Sequence, residues 1–348
     1  MRSFLKPAAG LTCLFALAVT GCSSSSGDSS DAAPKATEKG SSTPSESASS
    51  TPSESSSSTS YAPYVSVTTA SGMDGTGSPT TYNLAFAIAS GSSCTPKWNG
   101  TTAIGNAAVK SRITALKTSG ATVRVSFGGA SGKELAETCT SVTALAKAYG
   151  EALDAAGSTQ ADFDIEGDAL TDSASVALRS KAIAVLQKER TDLKVSFTLP
   201  VMPSGLDSDS LALLESANDN AVAVSTVNIM TMNYGESYTK DMGDYAITSA
   251  TATHTQLKKV FGISDAGAWQ GMALTSMIGV NDVSGETFSL SDAAQVRTFA
   301  EEKEIAWVSM WSTFRDQQCE SGSSNDDAAT DCSGVTQGSG AFGEAFAG

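Results

Sequence analysis

The chain has 348 residues, a formal net charge of −15 and one histidine. Residues 1–21 carry +2 and residues 22–60 carry −3, which leaves −14 on residues 61–348. So acidic a domain argues against nucleic acid and against charge-driven docking to anionic lipid, and one histidine leaves no multi-histidine zinc site.

Residues 1–21 read as a secretory signal. Arg2 and Lys6 form the basic start, Leu11 to Val19 the apolar core, and small residues follow. Val19-Thr20-Gly21-Cys22 resembles a bacterial lipobox, which implies cleavage before Cys22 and lipidation of its sulfur. The apolar core is too short to span a bilayer. Residues 22–60 are mostly Ser with Thr, Pro and Ala, and Ser-Thr-Pro-Ser-Glu-Ser occurs twice, at 42–47 and 50–55. Such a composition buries no core and predicts a disordered tether. The expected location is the extracellular face of the membrane, anchored at Cys22 or released from it.

From Tyr61 to Gly348, strand-like runs alternate with helical patterns. The predicted strands are Tyr64–Thr68, Tyr82–Ala89, Thr122–Phe127, Ala161–Glu166, Lys194–Leu199, Ala223–Met232, Gly271–Ile278 and Ala306–Trp311. Most are rich in Val, Ile, Phe and Met, as strands covered on both faces are. The clearest helix spaces Leu145, Ala148, Tyr149, Ala152 and Leu153 at helical period. Further helices are predicted near 107–116, 175–188, 246–260 and 292–302, and the Gly/Ser/Pro-rich crossover 69–81 is too short for one. Eight strands with alternating helices predict a single α/β domain, a (β/α)8 TIM barrel. An open doubly wound sheet is the alternative, but no Gly-rich phosphate fingerprint follows any strand. His254, in Ala252-Thr253-His254-Thr255, shows no signal of a nucleophile partner and is expected on a helix surface.

Export makes disulfides the expected state of Cys94, Cys139, Cys319 and Cys332. Cys94 follows the second strand and Cys139 the third, in neighbouring loops. Cys319 and Cys332 close a short loop after the eighth. Of three possible pairings, Cys94–Cys139 and Cys319–Cys332 are therefore favoured. No C-x-x-C spacing suggests a metal site, and neither metal nor cofactor is expected.

The stretch Ala161-Asp162-Phe163-Asp164-Ile165-Glu166-Gly167 carries the chemistry. Its alternation places Asp162, Asp164 and Glu166 on one face of a strand and Phe163 and Ile165 on the other. Crowded, desolvated carboxylates hold a proton near neutral pH, as general acid catalysis requires. A polar exposed strand is one competing reading. A calcium loop is another, but its twelfth position is Ser173 where a Glu is needed. Other strand ends carry Ser126-Phe127-Gly128-Gly129, Met230-Thr231-Met232-Asn233-Tyr234 and Trp307 to Trp311. Trp311 fits core packing or a sugar platform equally well.

Together these motifs resemble glycoside hydrolase family 18, the chitinases and endo-β-N-acetylglucosaminidases. The family's D-x-x-D-x-D-x-E falls on Thr159 to Glu166, and its S-x-G-G on Ser126 to Gly129. The resemblance implies a monomeric hydrolase of chitin or other N-acetylglucosamine oligosaccharides with substrate-assisted, retaining chemistry. Glu166 would be the acid/base. Asp164 would hold the sugar's acetamido group, and Asp162 would share a proton with Asp164. Substrate contacts would come from Trp311, Tyr234, Asn233, Met230 and Ser126. Three positions depart from the family: Thr159 replaces its first Asp, Met232 falls where a Tyr is usual, with Tyr234 as its substitute, and Asn233 replaces the Asp that follows. A non-catalytic glycan binder on the same fold is the rival class, and the intact Asp164 and Glu166 weigh against it.

Overall fold

The computed structural model describes residues 59–323 and 330–348, all within the compact unit Ser55–Gly348. The signal segment, Cys22 and the Ser-rich stretch up to residue 58 lie outside the described residues.

Eight parallel strands form the barrel. We number them β1 (Ser60–Tyr61, continued by Tyr64–Ser66), β2 (Thr81–Ser90), β3 (Thr122–Gly128), β4 (Gln160–Asp164), β5 (Lys194–Pro200), β6 (Val224–Met230), β7 (Met272–Met277) and β8 (Trp307–Trp311). Each pairs in parallel with the next in chain order from β2 to β8. Closure falls to β1. Its first half pairs with β8 and its second half with β2, and Pro63 lies at the switch, where its carbonyl accepts Asn83 N–H at 2.9 Å. A sheet joined to itself in this way is a barrel, so the open doubly wound alternative falls.

The outward faces of the strands are apolar and the helices cover them. Phe163 on β4 stacks on Phe127 of β3 at 5.3 Å and meets Tyr149 of helix Val142–Ala156 edge-on at 5.0 Å. That helix begins at Ser141, whose hydroxyl caps Ala144 N–H, and ends at left-handed Gly157. The inward faces are unusually polar. Ser126, Asp162, Ser196 and Thr226 form one layer in register, and Asp164, Thr198 and Asn228 lie in the next layer toward the carboxyl ends.

The crossover 69–80 contains no helix, as its composition suggested. Several features went unread in the sequence, among them these two. A hairpin of strands Ser93–Trp98 and Thr102–Ala103 extends β2, and helix Ser208–Asp219 follows β5. His254 is a correction. It is buried, stacked on Trp269 with centroids 4.0 Å apart, and its Nε2 lies 3.0 Å from the Asp265 carbonyl. The short helix Asp265–Gln270 covers it, a tertiary contact that local pattern does not reveal. Both disulfides pair as expected, Cys94–Cys139 and Cys319–Cys332. Among the described residues, no helix is long and apolar enough to cross a membrane.

Candidate active site

The three carboxylates of β4 gather at the carboxyl rim of the barrel. The ladder itself stops at Asp164, two residues earlier than predicted. Ile165 N–H still bonds the Thr198 carbonyl at 3.0 Å, so the alternation continues and Glu166 leaves the rim on the same side as the aspartates.

Their surroundings differ sharply. Asp162 is buried, and four hydroxyls reach it. Tyr64 (3.0 Å) and Ser126 (2.7 Å) donate to Oδ2, and Ser196 (2.7 Å) and Thr198 (2.9 Å) donate to Oδ1. A carboxylate offers about four acceptor sites, and these donors occupy them. The partners of Asp162 that the structure shows are these hydroxyls. The structure corrects Ser126, which braces Asp162 from beneath and does not face the cleft.

Asp164 is buried too, but its Oδ1 has no hydrogen-bond partner. Burial raises its pKa well above the usual value, with the Glu166 and Asp162 charges adding to the effect. Burial also raises Glu166, and Asp282 raises it further. Two neighbouring carboxyls therefore both have raised pKa values, and one of them has an oxygen without a hydrogen-bond partner.

Backbone geometry holds this arrangement. Gly129 N–H bonds the Asp164 carbonyl at 2.9 Å. A Cβ on Gly128, whose φ is +99°, would lie 2.0 Å from that same oxygen, so β3 approaches β4 this closely only with glycine there.

The cleft above Asp164 is an open groove of about 110 Å3, small beside the ~300–1,000 Å3 of drug-sized ligand sites. Trp311 forms its floor, stacked on Phe86 at 5.6 Å and edge-on to Tyr64 at 5.8 Å. Met230, Met232, Asn233 and Asp282 line the opposite side. Two further hollows adjoin it and share Glu166. One runs past Pro200, Met202 and Asp207, the other past Gly129, Lys133 and Asp168.

Tyr234 does not stand in for a tyrosine at Met232. It is buried, packed against Tyr238 and Tyr245, and its phenol accepts the Ser249 hydroxyl at 3.4 Å. Two residues beyond Met232, the chain has turned its side chain behind the cleft wall. Asn233 lies between them with φ +54°, a conformation Asn tolerates. Its Oδ1 accepts Asp282 and Val283 N–H at 3.1 and 3.3 Å, and its Nδ2 donates to Asp282 Oδ2 at 3.0 Å. Both a donor and an acceptor are needed here, and an Asp would set two carboxylates against each other. Asn233 thus fixes Asp282 near Glu166. Tyr64, Phe86 and Asp282 were not singled out from the sequence. The first two are aromatics near strand ends, a signal available but weak, whereas Asp282 sits in a loop with no motif.

Fold and cleft together define a (β/α)8 barrel with an acidic, aromatic-floored site at the carboxyl ends of its strands. The chain is similar to the catalytic domain of a hyperthermophilic chitinase from Pyrococcus furiosus. The TM-score is 0.73 at 29% identity, over 82% of this chain and 93% of that one. It is also similar to catalytic-site mutants of active domain 2 of the thermostable chitinase of that organism, solved with chito-oligosaccharides (TM-score 0.71, 29% identity, 82% and 92% covered). In sequence it is 34% identical over 275 residues to a probable bifunctional chitinase/lysozyme of Escherichia coli (strain K12), covering 74% of this chain and 31% of that protein. Endochitinase 11 of Metarhizium anisopliae is 34% identical over 276 residues, 74% of this chain and 52% of that protein. The chain thus spans about a third to a half of the length of these two relatives. No family model matches it.

Proposed function

We propose that the barrel is a chitinase-type glycoside hydrolase of β-1,4-linked N-acetylglucosamine polymers, with Glu166 as acid/base. One observation carries the reading: the bare, buried Asp164 Oδ1 beside a Glu166 that favours its proton, over the Trp311 floor. A binding module has no use for two adjacent carboxyls whose pKa values are both raised. The similarity to chitinases supports the same substrate class.

In this mechanism a pyranose stacks on Trp311. Asp164 accepts the N–H of the sugar's 2-acetamido group and turns the acetamido oxygen toward the anomeric carbon. Glu166 gives its proton to the glycosidic oxygen as that bond breaks, and the acetamido oxygen closes on the anomeric carbon. Glu166, now ionised, takes a proton from water as the water opens the ring and restores the configuration. Asp162, filled by four hydroxyls, braces the strand beneath Asp164. Met232 offers no donor to the acetamido oxygen, which predicts a modest rate.

The lipobox-like Val19 to Cys22 supports a lipid anchor at Cys22, with the barrel outside the membrane. Mass spectrometry that finds unmodified Cys22 in a mature soluble protein would remove that part.

The central test uses the soluble barrel and short chitin oligomers, with products read by mass spectrometry. The wild type is expected to cleave them. Glu166→Gln keeps the shape and loses the transferable proton, so turnover should fall at least ~10²–10⁴-fold while oligomers still bind. Equal rates for the two would refute the mechanism.

A further inference from the structure

The amino end of the barrel, opposite the cleft, holds a buried cation whose direct hydrogen-bond partners are all neutral. Arg124 on β3 is 6% exposed. Its guanidinium lies 3.9 Å over the Trp307 ring. It donates to two neutral amide oxygens, Asn83 Oδ1 at 2.7 Å and Gln160 Oε1 at 3.0 Å. Among the described residues, no carboxylate lies within ion-pair distance of it. A guanidinium has five N–H donors, so three remain beyond these two bonds. Burial lowers the Arg124 pKa, with the more distant Asp162 opposing that shift, as befits a charge taken from water without a partner.

Beside it, Trp307 is also buried, and its indole N–H has no acceptor. Both residues line an open hollow of about 430 Å3, whose rim includes Lys194, Ser225 and Thr226. The hollow therefore combines a buried guanidinium, an orphaned N–H donor, a lysine and hydroxyls, and no carboxylate lines it. On a domain carrying −14, such a concentration of donors is not explained by overall charge.

We propose that this hollow is a binding site for a small oxyanion of the carboxylate or phosphate type. Such an ion takes paired contacts from the guanidinium edge, accepts the Trp307 N–H, and draws Lys194 from the rim. It supplies a counter-charge in direct contact, which Asp162 does not. It also ties the starts of β3, β5 and β8 together, so its binding stabilises the folded barrel by mass action.

The test is thermal melting of the full chain titrated with sodium phosphate or sodium acetate at constant ionic strength. Sodium chloride serves as the balance, because a spherical ion gains nothing from a paired donor edge. The wild type should show a saturable rise in melting temperature with at least one oxyanion. Lys194→Gln, at an exposed position remote from the cleft, should raise the half-saturating concentration by about tenfold or more, the loss of one charged contact. Trp307→Phe keeps a ring under Arg124 and removes only the donor, and it should weaken the response similarly. In 15N NMR spectra, the indole resonance absent from Trp307→Phe should be the one that moves with the oxyanion. Chloride matching both oxyanions, either variant following the wild-type curve, or a Trp307 indole resonance that stays fixed would overturn the proposal.

Discussion

Asp162 and Asp164 stand two residues apart on one strand, yet Asp162 accepts four hydroxyls while Asp164 keeps a buried oxygen with no partner. The difference has a cost in stability. Asp164 has its folded-state pKa raised well above the unfolded value, chiefly by burial. Its contribution is fully present below the unfolded pKa of about 3.9 and is lost as pH rises through the folded pKa. Asp164→Asn is neutral at every pH and escapes that loss. The variant should melt above the wild type at pH 7, with the gap closing toward pH 4, while turnover of chitin oligomers falls by about 10²-fold or more. Melting curves across that range that run parallel for the two proteins would show Asp164 to be ionised in the fold.

A second expectation concerns the proton on Glu166. Burial raises its pKa first, and the Asp282 charge adds to it. Removing a neighbouring negative charge favours the ionised form. In Asp282→Asn the Glu166 pKa should therefore fall, and the limb on which kcat declines with rising pH should move to lower pH. The Asn233 contacts survive in part, since the new amide oxygen still accepts from Nδ2. A limb that stays in place or moves to higher pH would mean that Asp282 does not reach Glu166.

How much of this was legible in the sequence depends on the range of the interaction. Period-two alternation put Asp162, Asp164 and Glu166 on one side, because that is a property of the strand alone. The eight strands were readable for the same reason, and the Cys94–Cys139 pair followed from the order of the loops. Tyr234 was misplaced because strand alternation ends at Met230, after which Asn233 turns the chain through a positive φ. Ser126 was read as facing substrate, whereas its depth in the barrel is set by register with Asp162. Asp282 was invisible, since only the Asn233 bonds bring its loop to Glu166.

Gly128 tests whether strand approach sets the site. Alanine there must relieve a 2.0 Å contact with the Asp164 carbonyl and adopt a φ of +99°. The strained backbone alone costs on the order of 1–3 kcal/mol. Gly128→Ala should lower the melting temperature and, by shifting Asp164, lower kcat more than it raises KM. Wild-type activity with a lowered melting temperature would separate the glycine's structural role from any effect on catalysis.

Trp311 closes the cleft from below. It is partly exposed, and its contacts with Phe86, Tyr64 and Phe314 are aromatic. The sequence left core and platform equally open, and its exposure in the cleft now favours the platform. Fully buried Trp→Ala changes cost about 3–5 kcal/mol of stability. Trp311→Ala should cost less than that, because part of the ring already faces solvent and Phe86 remains. Oligosaccharide affinity should drop by about 1–3 kcal/mol, by analogy with other aromatic stacking surfaces. Trp311→Phe should recover part of the binding, since a smaller ring still offers a face. Calorimetric titration with a chitin oligomer and a thermal melt on each variant give both quantities. A large loss of stability with undiminished affinity would return Trp311 to the core and leave the cleft without its floor.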